Sequence, residues 1–285
     1  MLEKRSLGRT GEKLSILGFG GIVVMDATPQ EADLRVRRAI EHGVNYFDVA
    51  PSYGDAEIKL GPALAPFRSR VFLACKTGQR QKDGATRELE QSLKRLRTEY
   101  FDLYQLHAMT TLEDVETVMG PDGAMSAFLE ARQAGKVRFL GFSAHSVEAS
   151  LALMERFEFD TILFPVNFAT WHAGHFGPQV LERAAAKGMG ILALKAMAHR
   201  PWPKEAENRV AKCWYEPLTT PEEALLGLRF TLSHPVTAAI PPGNEKLFEM
   251  ALGLGLRFQP LSAEEATALK TRGAATDPIF RYPGV

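Results

Sequence analysis

Short apolar runs recur along the chain at 16–20, 45–49, 71–75, 102–106, 138–142, 161–166, 190–194 and 236–240. Each is too short for a typical helix and has no clean polar alternation, the pattern of a strand buried on both faces in a parallel sheet. The segments between them carry helix punctuation. Thr28-Pro-Gln-Glu31, Thr220-Pro-Glu-Glu223 and Ser262-Ala-Glu-Glu265 each fit a capping box, two with Pro at the first helical position. Gly43, Gly135 and Gly188 each follow a helical run and precede an apolar strand by one or two residues. A glycine there takes the left-handed conformation that ends a helix, and a short turn enters the next strand.

Eight strands with helices between them predict an α/β fold, a (β/α)8 TIM barrel, over a single domain of residues 1–285. A doubly wound open sheet fits less well, because Gly18-Phe-Gly-Gly21 is not a GxGxxG turn from strand to helix. Ahead of the first strand, 2–7 and 13–16 flank Gly8-Arg-Thr-Gly11 and read as an N-terminal β-hairpin, a lid over the N-terminal end of the barrel. The interval between the seventh and eighth strands is the longest. Its Pro201-Trp-Pro-Lys204 and the stretch to Pro217 predict a long loop after strand 7 on the active-site side.

Composition narrows the function. The 34 basic and 34 acidic residues cancel, so no whole-protein field recruits nucleic acid. Cys75 and Cys213 lie far apart without CxxC spacing, which points to reduced thiols. The N-terminus has no apolar core after its charges, and no run reaches the length of a spanning helix. The expectation is a soluble cytoplasmic protein with no membrane partner, a monomer or small homo-oligomer.

Four polar residues end three consecutive strands or follow them closely: Asp48 closes NYFDV, Tyr53 stands in APSYG, Lys76 ends VFLACK and His107 ends DLYQLH. In a barrel those strand ends face one mouth, so the four converge. A buried ammonium needs a counter-charge, and Asp48 is the natural one for Lys76. The ammonium in turn lowers the phenol pKa of Tyr53, making it a usable acid or base. A neutral His107 polarises a carbonyl oxygen by donating a hydrogen bond. Taken singly, an Asp, Tyr or His at a strand end is usually a packing or capping residue; their joint occurrence carries the weight. Carbonyl reduction needs a proton and a hydride, and this set supplies the proton side, so a nicotinamide is required.

These motifs resemble the aldo-keto reductase family. NYFDVAPSYGDAE is similar to its second-strand motif, with Asp48, Tyr53 and Glu57, and VFLACKTG and FDLYQLHAM resemble its Lys and His strands. The likeness runs from LGRTGEKLSILGFGG to IPPGNEKLFEMAL, and it lays the family's catalytic tetrad on Asp48, Tyr53, Lys76 and His107. It implies an NAD(P)H-dependent enzyme acting on a small-molecule carbonyl substrate, with NADP(H) favoured and NAD(H) the alternative. GFSAH resembles the motif whose Ser and Asn hold the nicotinamide amide; Ser143 matches, but Ala144 replaces the Asn and Leu163 the usual Gln. Asn167 is the nearest polar substitute. Where an aromatic often stacks on the nicotinamide, ALKAMAH offers Leu194, Lys195 or Met197. Gly20, Gly21 and Asp48 complete the set near the ring. At the adenosine end, IPPGNEKLFEM aligns Lys246 with the usual Arg and Glu249 with the adenine-binding Glu, beside Pro242, Gly243 and Asn244, at a helix N-terminus that favours anions.

Other readings compete. The weakened amide contacts fit a nucleotide-binding sensor or regulatory barrel with little turnover. Trp171-His-Ala-Gly-His175, with His199 and Cys213, invites a zinc site, but no paired-ligand pattern supports it and no metal is expected. Trp202 and Trp214 in the long loop are candidates for a substrate wall or simple hydrophobic covers.

Overall fold

The computed structural model describes residues 1–283. Eight parallel strands form one sheet: β3 (Phe19–Gly20), β4 (Tyr46–Asp48), β5 (Phe72–Thr77), β6 (Phe101–Met109), β7 (Val137–Ala144), β8 (Thr161–Pro165), β9 (Gly190–Leu194) and β12 (Ala238–Ile240). They lie side by side in chain order, with β3 and β12 at the two ends. The ends meet through Gly18 N donating to Ala239 O (3.0 Å) and Ala239 N donating to Ile16 O (2.9 Å). The barrel is thereby closed, and the first apolar run divides its work: 16–18 bonds to β12, while only Phe19–Gly20 pairs with β4. A closed barrel leaves no sheet edge.

Two further hairpins flank it. β1 (Lys4–Ser6) pairs antiparallel with β2 (Lys13–Ser15) as predicted. Leu7 and Leu14 from this hairpin pack inside the barrel with Tyr46, Phe72, Leu103, Leu163 and Leu192, so the hairpin plugs the N-terminal end. Gly8 is required there: its φ is 50°, and a Cβ would lie 2.3 Å from Gly190 N. The long interval between β9 and β12 is more ordered than a plain loop. It holds β10 (Ala198–Pro201) paired with β11 (Tyr215–Pro217), and the helix Pro221–Leu232.

Strand alternation divides the core into two layers. Tyr46, Phe72, Ala74 and Leu103 point into the barrel, while Phe47, Leu73, Cys75, Tyr104 and Leu106 point out to the helices. The helix signals hold with one difference. Thr28 and Ser262 form reciprocal capping boxes. Thr220 accepts from Glu223 N, but the Glu223 carboxylate turns to Arg272 and the Thr220 hydroxyl instead of the backbone, because an ion partner lies within reach. Gly43, Gly135 and Gly188 have φ of 95°, 74° and 66°, as a left-handed stop demands. Among the described residues no helix is long and apolar enough to cross a membrane, and both cysteines are buried and free.

Candidate active site

The alternation that builds the core also builds the site. Two residues beyond Tyr46 the inward position is Asp48; two beyond Ala74 it is Lys76; two beyond Leu103 it is Gln105. All three are buried. The Lys76 ammonium pairs with Asp48 Oδ1 and donates to Val49 O (3.2 Å). Asp48 Oδ2 accepts from Tyr46 Oη (3.1 Å) and Gln105 Nε2 (3.0 Å). Tyr46 and Gln105 were missed by sequence reasoning; their only signal is the period of two that aligns them with Asp48 and Lys76.

Tyr53 follows in the loop after β4, where Tyr53 N donates to Ala50 O (3.1 Å). Its ring lies 5.2 Å from Lys76 Nζ and edge-on to His107 at 5.7 Å between centroids. The net effect on its hydroxyl differs from expectation. Burial pushes the Tyr53 pKa up, the Lys76 charge pulls it part of the way down, and the balance remains raised. For Lys76, burial pushes the pKa down, but Asp48 and Tyr53 outweigh it and the ammonium is held charged. The pair therefore rests as neutral phenol beside ammonium, because Asp48 already absorbs much of the lysine's field.

His107 owes its position to a bulge in β6. Leu106 pairs with Phe142 and Met109 with Ala144, so His107 and Ala108 oppose a single residue of β7. Such an extra residue re-aims side chains at a barrel rim. Ala108 is forced to φ 52°. Arg80 holds the distortion by donating to His107 O (2.9 Å) and Ala108 O (3.2 Å), itself anchored on Asp114. Ser143 Oγ accepts from Ala108 N at 2.8 Å, which leaves its own O–H free to donate. Burial first, then the charge of Lys76, lowers the His107 pKa to about 3, so its ring is neutral at physiological pH.

These side chains open onto a cavity of about 260 Å³ that runs from Gly20, Asp48 and Tyr53 to Pro241, Pro242 and Gly243. Of the residues singled out from sequence, Gly20, Ser143, Lys195, Pro242 and Gly243 line it with the four catalytic candidates. Leu163 and Leu194 also line it as an aliphatic wall, and Trp214 adds an aromatic one. Gly21 begins the turn after β3, against Val49. Asn167 does not line the cavity: its Oδ1 caps the helix Phe168–His172, and its Nδ2 is buried without a partner among the described residues. Met197 is buried in the layer between sheet and helices. Asn244 caps the helix Glu245–Gly255 through Lys246 N and Leu247 N, Lys246 is exposed on its first turn, and Glu249 pairs with Arg38.

Among the cavity residues without a role in the sequence reading are His145, Lys212 and Tyr215. His145 ends GFSAH and stacks on Phe280 (5.2 Å, 14° between planes); burial and the charge of Lys195 lower its pKa to about 4. Lys212 and Tyr215 come from the long loop. Trp202 does not line the cavity; its Nε1 donates to Cys213 O at 2.9 Å and pins the loop. His172 packs on Phe230, and among the described residues no group of three or more His, Cys, Asp or Glu is arranged to hold a metal ion.

Comparison with known proteins bears on this geometry. The model described as Aldo/keto reductase family matches residues 17–212. Oxidoreductase YqkF of Bacillus subtilis (strain 168) is 25% identical, over 95% of this chain and 96% of its own. L-galactose dehydrogenase of Arabidopsis thaliana is 28% identical, over 69% of this chain and 66% of its own. The fold matches that of an aldo-keto reductase from Bacillus halodurans in its holo form, with a TM-score of 0.77 and 22% identity over 100% of this chain and 99% of that one. With the family match spanning most of the barrel, from the first strand into the long loop, the chain belongs to the aldo/keto reductase family of NAD(P)H-dependent oxidoreductases.

Proposed function

We propose that the chain is an NADPH-dependent reductase that converts an aldehyde or ketone to an alcohol, with Tyr53 as proton donor. The observation that carries this reading is the buried Asp48–Lys76 pair set against the Tyr53 ring at the cavity. With its raised pKa, Tyr53 stays protonated until a carbonyl oxygen develops negative charge beside it. Lys76, held charged, then stabilises the phenolate left behind, and Asp48 keeps that ammonium in place. Neutral His107 donates a hydrogen bond to the same oxygen and orients the substrate. A nicotinamide cofactor, when bound, supplies the hydride.

The residues along the cavity fit such a cofactor. Gly20 lines it, and a Cβ there would lie 2.9 Å from Ile240, so only glycine leaves this wall open. Gly20, Ser143 and Leu194, which line the cavity, would hold the ring end, with Lys195 close by. Pro242, Gly243, Asn244, Lys246 and Glu249 would hold the adenosine end. Lys246, exposed on the first turn of a helix whose N-terminus favours anions, supports NADPH, with NADH as the alternative. The same reading has one barrel domain of residues 1–285 acting in the cytoplasm on a small carbonyl compound, as a monomer or small homo-oligomer.

Tyr53→Phe tests the mechanism. Steady-state assays should show kcat reduced by about 10²- to 10⁴-fold. NADPH affinity, titrated by tryptophan fluorescence, should stay within about twofold, as for a group that acts only in the chemical step. Turnover at the wild-type level would refute the role of Tyr53. NADPH binding with no oxidation against a broad panel of aldehydes, ketones and quinones would favour a nucleotide sensor.

A further inference from the structure

The three lysines that line the cavity are satisfied differently. Lys76 is paired with Asp48. Lys212 donates to Met25 O at 2.6 Å. Lys195, just past the end of β9, has neither ion pair nor hydrogen bond from its ammonium among the described residues; Nζ lies 5.1 Å from the Trp214 ring centroid and 4.9 Å from that of Tyr215. Its backbone sits at φ 66°, a strained setting for a residue with a side chain. Strain of this kind persists where the surroundings enforce it, and it commonly marks a functional position.

Among the described residues the cavity offers Lys195 no counter-charge: Asp48 is the one carboxylate in its lining, and that is spent on Lys76. His107 and His145 are both held neutral, with pKa values lowered to about 3 and about 4, so neither adds charge of its own. Ring faces offset part of the desolvation of an ammonium but do not replace an anion. Lys195 lines the same cavity as Tyr53 and His107, so its ammonium shares the space in which a carbonyl would dock.

We infer that Lys195 is a specificity-determining residue of the substrate pocket, and that the preferred carbonyl compound carries an anionic group, a carboxylate or phosphate, which pairs with its ammonium between Trp214 and Tyr215. This rests on the proposed reductase activity. The diphosphate of the cofactor is the other anion that could answer the same charge, and the test separates the two.

NADPH oxidation is measured for matched substrates, succinic semialdehyde against butanal and glyceraldehyde 3-phosphate against glyceraldehyde, with wild type, Lys195→Met and Lys195→Arg. Wild type should favour the charged member of at least one pair by about ten- to a hundredfold in kcat/KM, the range of a charge-assisted hydrogen bond. Lys195→Met should bring that ratio close to one, chiefly through KM, and Lys195→Arg should restore most of it. The NADPH dissociation constant, from fluorescence titration, should move by less than about threefold, and its measurement also reports that each variant is folded. No preference in wild type, or a preference that survives Lys195→Met, overturns the inference. So does an unchanged ratio with much weaker NADPH binding, which assigns Lys195 to the cofactor diphosphate. If wild type reduces none of these compounds, the reductase reading is what fails. The anion site is then decided by whether succinate or inorganic phosphate quenches tryptophan fluorescence in wild type and not in Lys195→Met.

Discussion

On the side of β4, β5 and β6, the barrel mouth is a closed set of partners: Asp48 receives Lys76, Tyr46 and Gln105, all buried, and the strands beneath them alternate regularly. The side of β8, β9 and the long loop presents Leu163, Leu194 and Trp214, an ammonium with no acid partner among the described residues, and Asn167 spent on a helix cap. The first side can fix a proton before anything binds, because its charges already neutralise one another in a region of low dielectric. The second is left to be completed by ligands. On the proposed reading, this division sets an acid–base group anchored in the sheet beside a recognition side that includes residues of the long loop.

The comparison breaks most visibly at Lys76. Lys76→Met strands the Asp48 carboxylate inside the barrel, and urea denaturation should show a loss of about 3–5 kcal/mol, the usual cost of an orphaned buried charge. Asp48→Asn combined with Lys76→Met should lose less than the two single losses added together. Additive losses would mean the two residues do not act as a pair.

A middle-sized effect comes from acid. His107 and His145 have folded pKa values of about 3 and about 4, below the 6.5 of an unperturbed imidazole. Between those values the unfolded chain binds the protons and the folded one does not, so stability is full above pH 6.5 and is lost as pH falls below it. At pH 5 each ring should cost about 2 kcal/mol relative to pH 7. Denaturation midpoints measured at both values, for wild type and for the His107→Asn, His145→Asn double variant, should show the pH dependence shrinking in the variant. The smallest effect on stability belongs to Trp214, 58% exposed on the recognition side. Trp214→Ala should change unfolding free energy by no more than about 0.5 kcal/mol, while raising KM several-fold for the preferred substrate. A large loss of stability would erase the distinction between the two sides.

Much of this was legible from residue order. The eight apolar runs, the glycine stops at 43, 135 and 188 and the residues at the ends of β4, β5 and β6 are local signals, so they survive without knowledge of the fold. The bulge at His107 and Ala108 was not legible, since alanine carries no preference for positive φ and the distortion is imposed by Arg80 from another segment. Gln105 reads as an ordinary polar residue in a buried strand until Asp48 is seen opposite it. The raised pKa of Tyr53 likewise depends on how deeply its ring is enclosed, which no motif states.

The sequence by itself determined the alternation of strand and helix, the inward period that brings Asp48 and Lys76 to one mouth, and the kinship that follows from those motifs. Periodicity and capping act over a few residues, so they can be read in one dimension. Only the tertiary structure decided that 16–18 closes the barrel on β12 and that Asn167 is consumed as a cap. It alone left Lys195 between two rings with no ion pair among the described residues. Partners are set by segments distant in the chain, and whether a charge is satisfied depends on everything that surrounds it.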